Sequence, residues 1–66
     1  MKGSYRKPSR KLNFEDAVEV WPRIWRGEFL NRIASDLDVN PGRIAEIKKG
    51  YRFEGSREEA LRRQAQ

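Results

Sequence analysis

Leu30-Asn31-Arg32-Ile33-Ala34-Ser35-Asp36-Leu37-Asp38-Val39-Asn40-Pro41-Gly42-Arg43-Ile44-Ala45-Glu46-Ile47-Lys48-Lys49-Gly50 is the stretch on which the fold turns. Phe29, Leu30, Ile33, Ala34 and Leu37 fall at helical spacing, and so do Ile44 and Ile47. Asn40 before Pro41 is a helix start, because Asn accepts from the free N–H groups of a first turn and Pro fits the first helical position. Gly50 suits the left-handed residue that closes a helix. The reading is two short helices, about 28–37 and 41–49, crossing through the tight turn Asp38-Val39-Asn40. Ile33 and Leu37 face inward from the first, Val39 plugs the turn, and Ile44 and Ile47 face inward from the second. Ala34 sits where the helices come closest, and a larger side chain there would push them apart.

Upstream, Asn13 is a good N-cap, with Glu15 and Asp16 in the first turn beside the positive end of the dipole. Phe14, Val18, Trp21 and Trp25 then share one face, widened by Ala17 and Ile24, which predicts a helix over about 14–26. Pro22 either kinks it or starts a new segment, and one kinked helix is the favoured reading. Trp21 and Trp25 read as core rather than as a base-stacking platform. Gly27 punctuates the end. Downstream, Tyr51-Arg52-Phe53 reads as an extended piece or turn. Ser56 and Glu59 have capping-box spacing and predict a fourth helix over about 57–64. The expected class is all-α: a compact three- to four-helix domain over 13–66, preceded by a flexible basic arm, 1–12.

A chain of 66 residues holds one domain, and one this short is marginally stable by default. It has no Cys and no His, which removes disulfides, thiolate metal sites and the usual general base at neutral pH. With no Gly-rich phosphate loop and little room for a cleft, an enzyme is not expected, nor a cofactor. No stretch has the length and apolarity of a membrane span or a signal-peptide core, so the expected location is the cytoplasm, in association with the nucleoid. The net charge of +5 is unevenly spread. Residues 1–12 carry five cations and no acid, 13–39 carry six acids against three Arg, 40–53 carry four cations against Glu46, and 54–66 balance.

The Ile33-Ala34, Leu37-Asp38-Val39 and Ile44, Ile47 spacing resembles the helix-turn-helix family of DNA-binding domains over Leu30 to Lys49. The following Ile47-Lys48-Lys49-Gly50-Tyr51-Arg52-Phe53 is similar to the tail of small helix-turn-helix modules of phages and mobile elements. One departure is Asp38, where the family usually has Gly; Asp tolerates the left-handed conformation better than most residues. The resemblance implies that the later helix enters the major groove, with Asn40, Gly42, Arg43, Glu46 and Lys49 as base-contact candidates. Arg43 suits guanine O6 and N7, and Glu46 suits the cytosine amino group. Asn31, Arg32, Lys48, Tyr51 and Arg52 are the phosphate-contact candidates. Ordinary structural readings stand beside these. Glu46 pairs equally well with Arg43 or Lys49 on a solvated helix, Lys48 and Lys49 suit a helix C-terminus, and Tyr51 is open between packing and phosphate. In the arm, Arg6, Lys7, Arg10 and Lys11 suit a minor groove or the DNA backbone, or else form a solubilising tail.

The leading expectation is a sequence-specific binder of double-stranded DNA, a small transcriptional regulator or a mobile-element accessory factor. A homodimer on two half-sites would supply the specificity that one module lacks, through the first or fourth helix. The alternative is a protein-interaction adaptor on the same scaffold, binding a regulator or polymerase subunit, favoured if the acidic segment 13–39 is the ligand-facing side. Structured RNA is a third reading, with the arm folding on contact.

Overall fold

Four helices follow one another through residues 11–65, the part of the chain that the computed structural model describes: α1 Phe14–Trp25, α2 Leu30–Leu37, α3 Pro41–Lys49 and α4 Ser56–Gln64. There is no strand among the described residues. None of these helices is long and apolar enough to cross a membrane. The arm candidates Arg6, Lys7 and Arg10 lie outside the described residues. Lys11 is exposed, but Leu12, expected in the arm, packs against the core.

Helix α1 opens on a capping box. Asn13 Oδ1 accepts from the Asp16 N–H at 2.8 Å, and Asp16 Oδ2 accepts from the Asn13 N–H at 3.0 Å. The helix runs through Pro22 as one segment and closes on Arg26, so no new helix starts at the proline. Ala17, Val18, Val20 and Trp21 are buried. Phe14 and Trp25, expected on the inner face, are 43% and 36% exposed. They are the first and last residues of α1, where its packing partners no longer cover it; the Trp25 ring lies against Trp21 at 5.8 Å.

The second helix begins at Leu30 rather than Glu28. The Glu28 carboxylate takes hydrogen bonds from Arg23 Nε and Arg26 Nη2, both at 2.8 Å, and its N–H donates to the Arg23 carbonyl at 3.1 Å. That network holds the segment after α1 as a turn. Phe29 is therefore an extended cap residue and 80% exposed, not part of the core stripe. Arg23 also bonds Asp36, tying the end of α1 to α2.

Between α2 and α3, Asp38 adopts φ 62 and ψ 44, the left-handed conformation anticipated for it. A non-glycine residue held there is destabilised by about 1–2 kcal/mol relative to glycine. The conformation lets the Asp38 and Val39 N–H groups reach back to α2 carbonyls, with Val39 N–H on the Ala34 carbonyl at 3.0 Å. Helix α3 is capped by Asn40 and ends at Gly50 with φ 84. Ile33, Ala34, Val39, Ile44 and Ile47 are all buried, as their spacing required. Leu30, Leu37, Ile24 and Phe53 pack around them.

Helix α4 starts differently from expectation. Its N-cap is Gly55, with φ 92 and no side chain to cap with, and Ser56 is the first helical residue. The Ser56 hydroxyl is taken instead by a partner 35 positions away, the Trp21 indole, whose Nε1–H donates to Oγ at 3.0 Å in the buried interior. At the other end Arg63 Nη1 and Nη2 fork onto Glu15 at 2.6 and 3.1 Å, while Arg63 Nε holds Glu59 at 2.9 Å. The two contacts fix α4 antiparallel to α1. Ser56→Ala leaves the buried indole N–H without an acceptor, and the expected destabilisation is about 1–3 kcal/mol. Urea unfolding followed by tryptophan fluorescence measures it; an unchanged midpoint would discount the bond.

The ion pairs carry a pH signature. The Arg63 hydrogen bonds hold the Glu15 carboxyl below its ordinary value of 4.5, and Arg26 and then Arg23 do the same for Glu28. A carboxylate with a depressed folded pKa adds stability that is complete above its unfolded value and is lost as pH falls through the folded one. The melting temperature is expected to fall modestly from about pH 5 to pH 3, the change being small because Glu15 is exposed and Glu28 only partly covered, so solvent screens both pairs. Thermal melts of the native chain and of Arg63→Gln check it, since the variant loses the Glu15 share.

Candidate nucleic-acid interface

Burial of Ile44 and Ile47 fixes the rotation of α3 and so decides what it offers to solvent. Asn40, Pro41, Gly42, Arg43, Lys48 and Lys49 are exposed, whereas Ala45 and the base-contact candidate Glu46 are half-buried. Small residues at 42 and 45 still leave the helix backbone approachable.

Asn40 is less free than a base-reading residue needs to be. Its Oδ1 accepts from the Gly42 N–H at 2.7 Å as the cap of α3, which leaves the amide NH2 group for other partners. A Cβ at position 42 would sit 3.1 Å from that Oδ1, so glycine here makes room for the cap.

Glu46 is held by cations. Its Oε1 is shut off from solvent and has no hydrogen bond among the described residues. It lies 3.5 Å from Arg43 Nη1, one helical turn back, and 3.8 Å from Arg52 Nε in the segment after α3. Arg43 is the partner the sequence offered; Arg52 takes the second place instead of Lys49. The Arg52 guanidinium also lies over the Phe53 ring, 5.6 Å from its centre. Phe53 adopts φ 55, one of two positive-φ residues other than glycine among those described, and packs half-buried on the core. Tyr51 is 76% exposed, which discounts a packing role.

A groove of about 490 Å³ runs where the end of α3 meets the start of α4. Lys48, Lys49, Arg52 and Arg57 line it together with the acids Glu54 and Glu58, over a floor that includes Trp21 and Phe53. Arg57 was not a sequence candidate. Residues 54–66 balance in a running charge count; folding brings Arg57 to the two lysines, with Glu54 and Glu58 in the same groove. On α2, Asn31 and Arg32 are exposed, and Phe29 supplies no side-chain cap to the first N–H groups of that helix.

Charge pairing separates the two halves of the domain. In the acidic half, Glu15, Glu28 and Asp36 are engaged by Arg63, Arg23 and Arg26, and Asp16 is part of the α1 cap. Arg32, Lys48, Lys49 and Arg57 form no ion pair among the described residues. No protein-family model, curated protein or solved structure matches this chain in comparisons with known proteins.

Proposed function

We propose that the protein binds double-stranded DNA, using α2 and α3 as a helix-turn-helix with α3 in the major groove. The observation that carries this reading is the charge on and after α3: exposed Lys48 and Lys49, in no ion pair among the described residues, beside exposed Arg43 and Arg52. The two short helices joined through a left-handed turn at Asp38 support it, because helix-turn-helix domains join their two helices by such a tight turn. In this reading Arg43 contacts guanine, the Asn40 amide group lies close to base edges, and Lys48, Lys49, Tyr51, Arg52 and Arg57 hold phosphates. Asn31 and Arg32 stand at the open N-terminal end of α2, where a further phosphate fits. The role is that of a small regulator or mobile-element accessory factor. The adaptor reading is weaker because Glu15, Asp16, Glu28 and Asp36, acids on which it depends, are engaged within the chain.

The test is a fluorescence-anisotropy titration of a random-sequence duplex at several salt concentrations. Affinity is expected to fall with added salt, with a log–log slope of roughly −0.9 for each phosphate neutralised. Binding that ignores salt, or no binding to any duplex, sinks the proposal.

A further inference from the structure

We infer that Glu46 is a positioning residue for DNA recognition: its carboxylate braces Arg43 and Arg52 and suppresses sequence-independent binding, rather than reading a base. The inference rests on the DNA reading above. Its basis is the geometry of one oxygen. Glu46 Oε1 is closed to solvent, without a hydrogen bond among the described residues, between Arg43 Nη1 at 3.5 Å and Arg52 Nε at 3.8 Å. Oε1 is thus not available to accept from a cytosine amino group, while the side chain, 38% exposed overall, keeps the other part of the carboxylate, and its charge, open to whatever approaches α3.

Each arginine keeps an unused part. Bidentate contact with guanine takes two N–H groups from one edge of a planar guanidinium. Glu46 lies against Arg43 at Nη1, and no hydrogen bond to the rest of that guanidinium forms among the described residues. Arg52 faces Glu46 with Nε and lies over Phe53, so its two terminal nitrogens remain for a phosphate. The carboxylate therefore gives two flexible cations separate, fixed directions. Its charge acts in the opposite sense on any phosphate nearby. It lowers the local charge of a cluster formed by Arg43, Lys48, Lys49 and Arg52, and sequence-independent binding depends on that charge. Bracing and repulsion both favour binding in which Arg43 meets its base over binding in which it meets any phosphate.

Two variants separate the effects. Glu46→Gln removes the charge and keeps the shape; Glu46→Asp keeps the charge and shortens the reach. The probes are a random-sequence duplex of about 20 base pairs and a randomised duplex pool enriched for bound sequences. For Glu46→Gln, random-duplex affinity is expected to rise about 3- to 10-fold, with a salt slope steeper by up to roughly 0.9. For Glu46→Asp, random-duplex affinity stays near the native value. In both, the enriched sequences lose base preference at the position read by Arg43. Circular dichroism checks folding, and if Glu46→Gln does not fold, the aspartate variant decides by its enriched sequences. Native binding with an unchanged enriched sequence in both variants overturns the inference, as does a Glu46→Gln chain no tighter on random duplex. A native chain that binds no duplex overturns the DNA reading itself, and this inference with it.

Discussion

Replacing Ile44 with alanine is expected to unfold a large part of the population at 25 °C. Ile44 has no solvent exposure and lies on α3 within the core shared by α1, α2 and α3. Truncating a buried isoleucine to alanine removes about 2–5 kcal/mol, combining lost transfer energy with the cavity left behind. A domain of this size has about 3–8 kcal/mol in total. The two quantities are of the same order, so a change that a large protein absorbs is close to decisive here. Ile44→Val, which removes one methylene, is expected to lose only about 0.5–1.5 kcal/mol and to remain folded. Far-ultraviolet circular dichroism during thermal and urea unfolding distinguishes the pair. An Ile44→Ala chain that melts cooperatively near the native temperature would show that α3 is not held as described.

The second large effect concerns binding. Arg43→Ala together with Lys49→Ala is expected to weaken binding to an enriched duplex by about 30-fold or more near 100 mM salt. The double change removes one guanidinium suited to guanine and one ammonium from the exposed side of α3. A good bidentate base contact is worth about 1–3 kcal/mol of discrimination, and a neutralised phosphate adds a salt-dependent share. The single variants should differ in kind. Arg43→Ala is expected to relax preference at one position, whereas Lys49→Ala weakens binding evenly across sequences and flattens the salt slope. Arg62→Ala is the control, because that residue pairs with Glu59 toward the far end of α4 from the groove. Anisotropy titrations at two salt concentrations read all four chains. Equal binding by the double variant and the control would remove α3 from the interface.

The parts of the fold that could be read in advance are those encoded by near neighbours. The α2–α3 crossing follows from Ile33, Ala34, Val39, Ile44 and Ile47, all buried as their spacing requires. Asn40, Pro41 and Gly50 bound α3 through their own backbone preferences, and Asp38 takes the left-handed conformation for the same reason. What could not be read depends on residues far apart in the chain. Ser56 has the spacing of a cap, but a buried indole 35 positions away competes for its hydroxyl, and Gly55 becomes the cap instead. Phe14 and Trp25 share the apolar face of α1, yet the face extends beyond what the other helices cover. At the site, periodicity located α3 and its cations, but not the Arg52 approach to Glu46 or the place of Arg57 beside Lys48. Those contacts come from the return of the chain after Gly50, for which no periodic signal exists.

The fork between Arg63 and Glu15 has a topological consequence. It joins residues 48 positions apart, one in the first turn of the first helix and one near the end of the last. The folded chain is therefore almost a closed ring, with its entry and exit at one end of the α1–α4 pair. A short covalent linker across that gap would confine the unfolded ensemble while asking little of the native backbone. New ends could then be opened in the exposed turn around Glu54, turning a linear domain into a permuted one with the same neighbours.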